Sequence, residues 1–226
     1  PLFPPTHHAE PSGLLAIGGD LSPQRLVQAY ATGIFPWFSE GDPILWHAPP
    51  ERMVLWPDQL RVNRTLRKFL RRCPYTVTLD VDFPAVISAC AATNRPNQSG
   101  TWITEDMLAA YVELHRLGLA HSVEAWNHDG ELVGGLYGVS VGRLYCGESM
   151  FAHAPDASKV AFVHLVRQLH RWDLPLVDCQ VYTDHLARFG AVEVPRSTYL
   201  DRVASLVVQK GRSGRWCFDE DFQCTG

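Results

Sequence analysis

HSVEAWNHDGELVGGLYGVSVGRLYCGESMF, residues 121–151, is the stretch whose reading decides the fold. Apolar residues alternate along it with polar or small ones, and Asp129-Gly130 and Gly142 interrupt the alternation. Period-two patterning marks half-buried strands, and Asp-Gly marks a tight turn. The run therefore reads as three antiparallel strands. One residue resists this picture. Glu148 places a carboxylate among the bulky apolar side chains of LYCGESMF, residues 144–151. A buried carboxylate without a partner is costly, so Glu148 needs either a partner from elsewhere in the chain or a cation on a substrate.

Working outward, YTVTLDVDF (75–83) predicts a strand, followed by a helix near 83–93 and a loop at 94–100. Thr104 is a good N-cap for a helix that Gly118 closes, with Glu105 and Asp106 in its first turn. Beyond the meander, Ser158–Trp172 predicts a strongly apolar helix and LPLVDCQVYT (174–183) a buried strand. A further helix and a short strand-rich tail are expected to finish the chain. Toward the N-terminus, Asp20 and Ser22 are candidate N-caps and Pro23 suits the first turn of a helix that Gly33 stops. IFPWFSEGDPILWHAPPERMVLW (34–56) carries too many prolines for a long helix and reads as short strands and tight turns. The order predicts a mixed α/β (α+β) fold. A GNAT-like domain with a mixed, largely antiparallel sheet is expected over 61–226, beside a small Trp/Pro-rich α+β domain over 1–60.

The 226 residues are 46% hydrophobic and 19% charged, enough apolar material for a sizeable core. The net charge of −4 does not suggest a bulk nucleic-acid binder, but it conceals a local excess. RVNRTLRKFLRR holds six of the twenty Lys and Arg: Arg61, Arg64, Arg67, Lys68, Arg71 and Arg72. A helix would align Arg61, Arg64, Lys68 and Arg71 and turn Leu66, Phe69 and Leu70 inward. Such a face is either merely solvated or meets anions, of which phosphates are the obvious choice. The six cysteines lie mostly in apolar runs without C-x-x-C spacing, a usage that favours a reducing cytoplasm. No 18-residue apolar run occurs, so no membrane span is expected.

No metal site is expected, since the ten histidines are scattered and no H-E-x-x-H is present. No G-x-S-x-G elbow is found either. HRLGLA (115–120) is the nearest approach to an acyl-CoA pyrophosphate loop, but it closes a predicted helix instead of opening one. Trp37, Phe38, Trp46 and Trp102 are packing residues by default and base-stacking platforms in the alternative. Asp178 and Gln180 lie at i and i+2 of an apolar strand, hence on one face, where buried polar groups need partners.

Taken together, GLLAIGGDLSPQRLVQAYATGIFPWFSEGDPILWHAP (13–49), GTWIT (100–104), HSVEAW (121–126), ELVGGLYG (131–138), LYCGESMF with ASK following, LVDCQ (176–180), DHLARFGAVEVPR (184–196) and YL (199–200) resemble the bacterial leucyl/phenylalanyl-tRNA–protein transferases. The resemblance runs over about residues 12–200 in family order. It implies transfer of Leu or Phe, and more weakly Met, from aminoacyl-tRNA to proteins with N-terminal Arg or Lys, marking them for N-end-rule degradation. It implies no metal and no cofactor; we expect a cytoplasmic monomer. Catalytic roles fall by resemblance on Asp178, Gln180 and Glu148, with Asp178 and Gln180 beside the scissile ester. Trp37 is implied near the terminal adenosine. The aminoacyl side chain is implied against Trp102, Leu136, Tyr145, Phe162, Leu165, Leu169 and Val177, with Leu165 and Leu169 standing where some members carry aromatics. The basic helix would hold tRNA phosphates. Two rival readings are an acyl-CoA-dependent N-acyltransferase of the GNAT type and a noncatalytic RNA-binding protein.

Overall fold

In the computed structural model, which describes residues 2–93 and 103–224, strand β1 (Leu14–Ile17) leads into helix α1 (Pro23–Ala31). Strands β2 (Phe35–Pro36) and β3 (Leu45–His47) follow, and the three strands form a small antiparallel sheet in the order β1-β3-β2. Pro23 opens α1, where its missing N–H has no helical partner to lose. Gly33 ends the helix at φ 76°, a left-handed conformation that suits glycine. Strand β4 (Glu51–Leu55) already belongs to the second sheet. The change of sheet thus falls between His47 and Glu51, ahead of residue 60.

The rest of the chain runs α2 (Arg64–Leu70), β5 (Thr76–Leu79), α3 (Phe83–Ala92), α4 (Glu105–Arg116), β6 (Ala120–Trp126), β7 (Leu132–Val141), β8 (Leu144–Ala152), α5 (Ala157–Arg171), β9 (Leu176–Gln180), α6 (Asp184–Arg188), β10 (Val192–Pro195) and α7 (Arg196–Leu206). The large sheet has seven strands in the order β10-β4-β9-β8-β7-β6-β5. The stretch that decided the fold is its central meander, β6-β7-β8, with antiparallel pairing throughout. Among the described residues only β8 and β9 pair in parallel, and α5 supplies the long crossover that a parallel pair requires. Alternation sorts the strand residues into two cores. Val54, Tyr137, Val139 and Cys146 pack with α1, α3, α4 and α7. Met53, Leu55, Val123, Leu136, Tyr145 and Val177 pack with α2 and α5 on the other face.

Three local expectations need correction. Helix α2 covers only Arg64–Leu70, because the Asn63 side chain accepts from Leu66 N at 2.8 Å and caps it there. Leu66 and Leu70 are buried as expected, whereas Phe69 is only partly covered. The tail beyond α7 forms no strand among the described residues. Side chains hold it instead: Trp216 N donates to Asp80 Oδ2, and Asp219 accepts from Trp172, Gln168 and Arg171. HRLGLA does close α4, with Gly118 at φ 73°. All six cysteines are free, and among the described residues no helix is long and apolar enough to cross a membrane.

One ionic contact joins the pieces. Arg52 on β4 and Asp178 on β9 are both buried. Arg52 Nε and Nη2 donate to Asp178 Oδ1 and Oδ2 at 2.8 and 2.6 Å, and Nη1 donates to Gly33 O at 2.9 Å. The guanidinium lies 4.6 Å from the ring centroids of both Phe35 and Tyr199, and Tyr199 Oη donates to Asp178 Oδ2 at 2.8 Å. A buried charge that loses its partner is strongly destabilising, by about 3–5 kcal/mol. Arg52→Gln should therefore lower the free energy of unfolding by about that amount, as read from urea denaturation. A loss below about 1 kcal/mol, the range of exposed ion pairs, would contradict this role.

Candidate active site

The parallel pairing of β8 with β9 stops after Leu144–Leu176, Tyr145–Val177 and Cys146–Asp178. Beyond it β8 continues through Gly147, Glu148 and Ser149 while β9 ends at Gln180. A cavity of about 420 Å³ opens where the strands part. Leu136, Tyr145, Met150, Phe162 and Val177 form an apolar wall, and Glu148, Gln180, Thr183 and His185 add polar groups. Phe35, Pro36 and Trp37 close one side from the small sheet, with Trp37 41% exposed.

Glu148 finds partners, but none among the described residues is a cation. Its Oε1 accepts from Tyr30 Oη at 2.6 Å and from Gln180 Nε2 at 2.9 Å, and Tyr111 Oη donates to Oε2 at 3.4 Å. Tyr30 and Tyr111 also hydrogen-bond each other. Burial pushes the Glu148 carboxyl up to about 8 despite the Tyr30 hydrogen bond, which opposes the shift. At neutral pH these surroundings favour a protonated Glu148, and a cation placed beside it would favour ionisation. The phenols of Tyr30 and Tyr111 are held well above their ordinary range by burial and by the Glu148 carboxylate.

Asp178 and Gln180 both turn toward the α1 and α7 side of the sheet. Asp178 does not border the cavity: Arg52, Tyr199 and the Gln180 backbone N–H, at 2.9 Å from Oδ1, take up its oxygens. Gln180 has φ 63°, a conformation that is uncommon for a residue with a side chain. Such strain persists where surrounding contacts over-determine it. The Asp178 contact to Gln180 N and the Glu148 contact to its side chain do this. A chain of hydrogen bonds thus runs from Arg52 through Asp178 and Gln180 to Glu148. The cavity's thiol is a poor nucleophile. Burial and the Asp178 carboxylate push Cys179, and equally Cys146 behind it, upward, and the thiolate is the reactive form.

Of the residues singled out in the sequence, Trp37, Leu136, Tyr145, Glu148, Phe162, Val177 and Gln180 border the cavity. Trp102 lies outside the described residues. Leu165 and Leu169 are buried in the core behind it and do not border it. They follow Phe162 by three and seven residues, which carries them about 4.5 and 10.5 Å along the helix axis. Arg61, Arg64, Arg67, Lys68, Arg71 and Arg72 are all exposed, and none makes an ion pair among the described residues. Arg52, Tyr30 and Tyr111 went unnoticed in the sequence. Arg52 shares a strand face with Val54, and an aspartate in the apolar strand LVDCQ already called for a cation. No group of three His, Cys, Asp or Glu among the described residues is placed to hold a metal.

The family model described as leucyl/phenylalanyl-tRNA protein transferase matches residues 54–204, and the model of that family's N-terminal domain matches 19–50. The leucyl/phenylalanyl-tRNA–protein transferase of Nitrosospira multiformis is 55% identical over 97% of this chain and 95% of its own. That of Myxococcus xanthus is 57% identical over 95% of this chain and 92% of its own. Among solved structures, L-PGS from Bacillus licheniformis aligns at TM-score 0.40 and 10% identity over 74% of this chain and 55% of its own, too loosely to bear on function. With both of its parts matched in order and more than half of its residues shared with such relatives over nearly full length, the chain belongs to the leucyl/phenylalanyl-tRNA protein transferase family.

Proposed function

We propose that the cavity between β8 and β9 brings the ester of a leucyl- or phenylalanyl-tRNA, and less readily a methionyl-tRNA, to the α-amine of a protein beginning with Arg or Lys. The observation that carries this reading is Glu148: a carboxyl that borders an open cavity, is held by three neutral side chains and makes no ion pair among the described residues. An acceptor's guanidinium or ammonium supplies the missing charge. The amine nitrogen then attacks the ester carbonyl. A C–N bond forms, the C–O bond to the ribose breaks, and the amine proton ends on the released ribose hydroxyl. The free amine has an ordinary pKa of about 7.7–8.0, so alignment of the reactants contributes more than strong base catalysis.

In this reading Asp178 is a positioning residue acting through Gln180, whose side chain and Glu148 face the reacting groups. Trp37, exposed at the cavity rim, stacks on the terminal adenosine. Leu136, Tyr145, Phe162 and Val177 receive the aminoacyl side chain. Leu165 and Leu169 contribute to that pocket only from behind the observed wall. The transfer serves to mark acceptors for N-end-rule degradation in the cytoplasm.

The direct test is transfer of labelled Leu or Phe from tRNA to peptides beginning with Arg or with a neutral residue. The wild type should extend the Arg-start peptide by one residue. Glu148→Gln should lower kcat/KM for that peptide by about 2–5 kcal/mol, as for loss of one partner of a desolvated charge pair, and leave slow transfer to the neutral-start peptide nearly unchanged. Equal losses on both peptides would remove Glu148 from acceptor recognition. No transfer by the wild type would refute the function itself.

The six exposed cations around α2 are proposed to bind tRNA phosphates, which suits an enzyme that must accept more than one tRNA. Alanine at Arg64, Lys68 and Arg71 should weaken tRNA binding and flatten its salt dependence. Each lost contact should reduce the log–log slope by about 0.7–0.9. An unchanged slope would leave this face as solvated surface.

A further inference from the structure

Behind the cavity wall lie two buried polar atoms that the proposed reaction does not use. Tyr145 is 1% exposed, and its Oη has no hydrogen-bond partner among the described residues. His121 is also 1% exposed, and its Nε2 is likewise without a partner. Leaving a buried donor or acceptor unpaired costs about 1–3 kcal/mol, and native structures contain few such atoms. Here two lie in one place. The Tyr145 hydroxyl reaches across β7 to lie over Gly138, where an added Cβ would be 2.6 Å from Oη. Gly138 is the cross-strand partner of His121, and side chains of such pairs start about 4.5–5.5 Å apart on the same face. Both rings pack on Trp216, His121 stacked at 3.7 Å and Tyr145 tilted at 5.9 Å.

The two atoms are also chemically complementary. His121 Nδ1 lies 2.8 Å from Asp80 Oδ2, and the same carboxylate accepts from Ser122 N and Trp216 N at 2.9 and 2.6 Å. A carboxylate that only accepts holds the imidazole hydrogen on Nδ1, so Nε2 is left as an acceptor. The Tyr145 hydroxyl is a donor. Asp80 is itself buried and fixed by these contacts, so the acceptor cannot turn away. Gly138 leaves the path between them clear of a side chain.

We propose that Tyr145 is a movable wall of the aminoacyl pocket: a bulky side chain entering the cavity presses the phenol across Gly138 until Oη–H donates to His121 Nε2. This rests on the reading that the cavity takes the aminoacyl group. His121 and Asp80 are then positioning residues for amino-acid selectivity. Phe fills more of the cavity than Leu and so drives the contact further. The bond formed on occupancy adds to Phe transfer and is lost when the hydroxyl is absent.

Two measurements on the full-length enzyme test this. The first is kcat/KM for phenylalanyl- against leucyl-tRNA with an Arg-start peptide. Tyr145→Phe should lower the Phe:Leu ratio by roughly fivefold, the equivalent of one net hydrogen bond of about 1 kcal/mol. The second is nitrogen NMR of histidine-labelled protein, with His121 assigned by its absence in His121→Gln. Adding 3′-phenylalanylamino-3′-deoxyadenosine, whose amide replaces the ester, should shift the His121 Nε2 resonance as it accepts a hydrogen bond, and Tyr145→Phe should abolish the shift. An unchanged ratio, or a resonance that does not move on binding, would overturn the proposal while transfer by the wild type continued. Absence of any wild-type transfer would overturn it together with the functional reading.

Discussion

The pairing of Arg52 with Asp178 is the constraint on which the rest of the molecule depends. Two ions in the middle of a sheet are tolerated only when hydrogen bonds replace the water they have lost. Here they do. Asp178 collects bonds from Arg52, Tyr199 and Gln180 N, and Arg52 reaches Gly33 O with the nitrogen left over. These contacts draw together β4, β9, α7 and the turn that follows α1. They explain how β4, which immediately follows the small sheet, comes to lie beside β9 within the large one. They also determine which way Gln180 faces, because its left-handed backbone is tied to the same carboxylate.

The two carboxyl groups of the site consequently differ in kind. Asp178 is matched by a guanidinium and enclosed. Among the described residues Glu148 is met by phenols and an amide, and burial raises it to about 8. Environments that separate two acidic groups in this way commonly give them different tasks. In the proposed function the matched group serves geometry and the unmatched one recognition. The parting of β8 from β9 puts the second group in a cavity whose remaining wall is largely apolar, where an arriving cation meets little competition from water.

Much of this was legible in the sequence, and the limits have physical causes. The meander followed from period-two alternation and turn residues, and the helices from their caps and glycine stops. Glu148, Gln180, Phe162 and Val177 stood out because polar residues in apolar runs, and family motifs, mark them. Arg52 did not, because one cation beside Glu51 in a Pro-rich segment looks like surface until β4 is known to be interior. Tyr30 and Tyr111 went unnoticed, since nothing local shows that their hydroxyls converge on a carboxylate more than 35 positions away. Leu165 and Leu169 were implied as pocket residues by the family resemblance, which does not give the depth at which this cavity ends. The tail looked strand-like because its aromatics, Trp216 and Phe218, are strand formers. Their rings pack on the core, and the Trp216 backbone N–H donates to the Asp80 side chain instead of to a strand.

The central claim is that Asp178 acts through Gln180 and not as an independent base. A double-mutant cycle on kcat/KM for transfer to an Arg-start peptide tests it most directly, using Asp178→Asn, Gln180→Ala and the pair together. Residues acting as one unit give strongly non-additive losses. The account predicts that the double variant is no slower than Gln180→Ala by more than about twofold, within ordinary coupling error. If the two losses instead multiply, Asp178 contributes on its own, and the hydrogen-bonded chain from Arg52 to Glu148 is not the device that aligns the substrates.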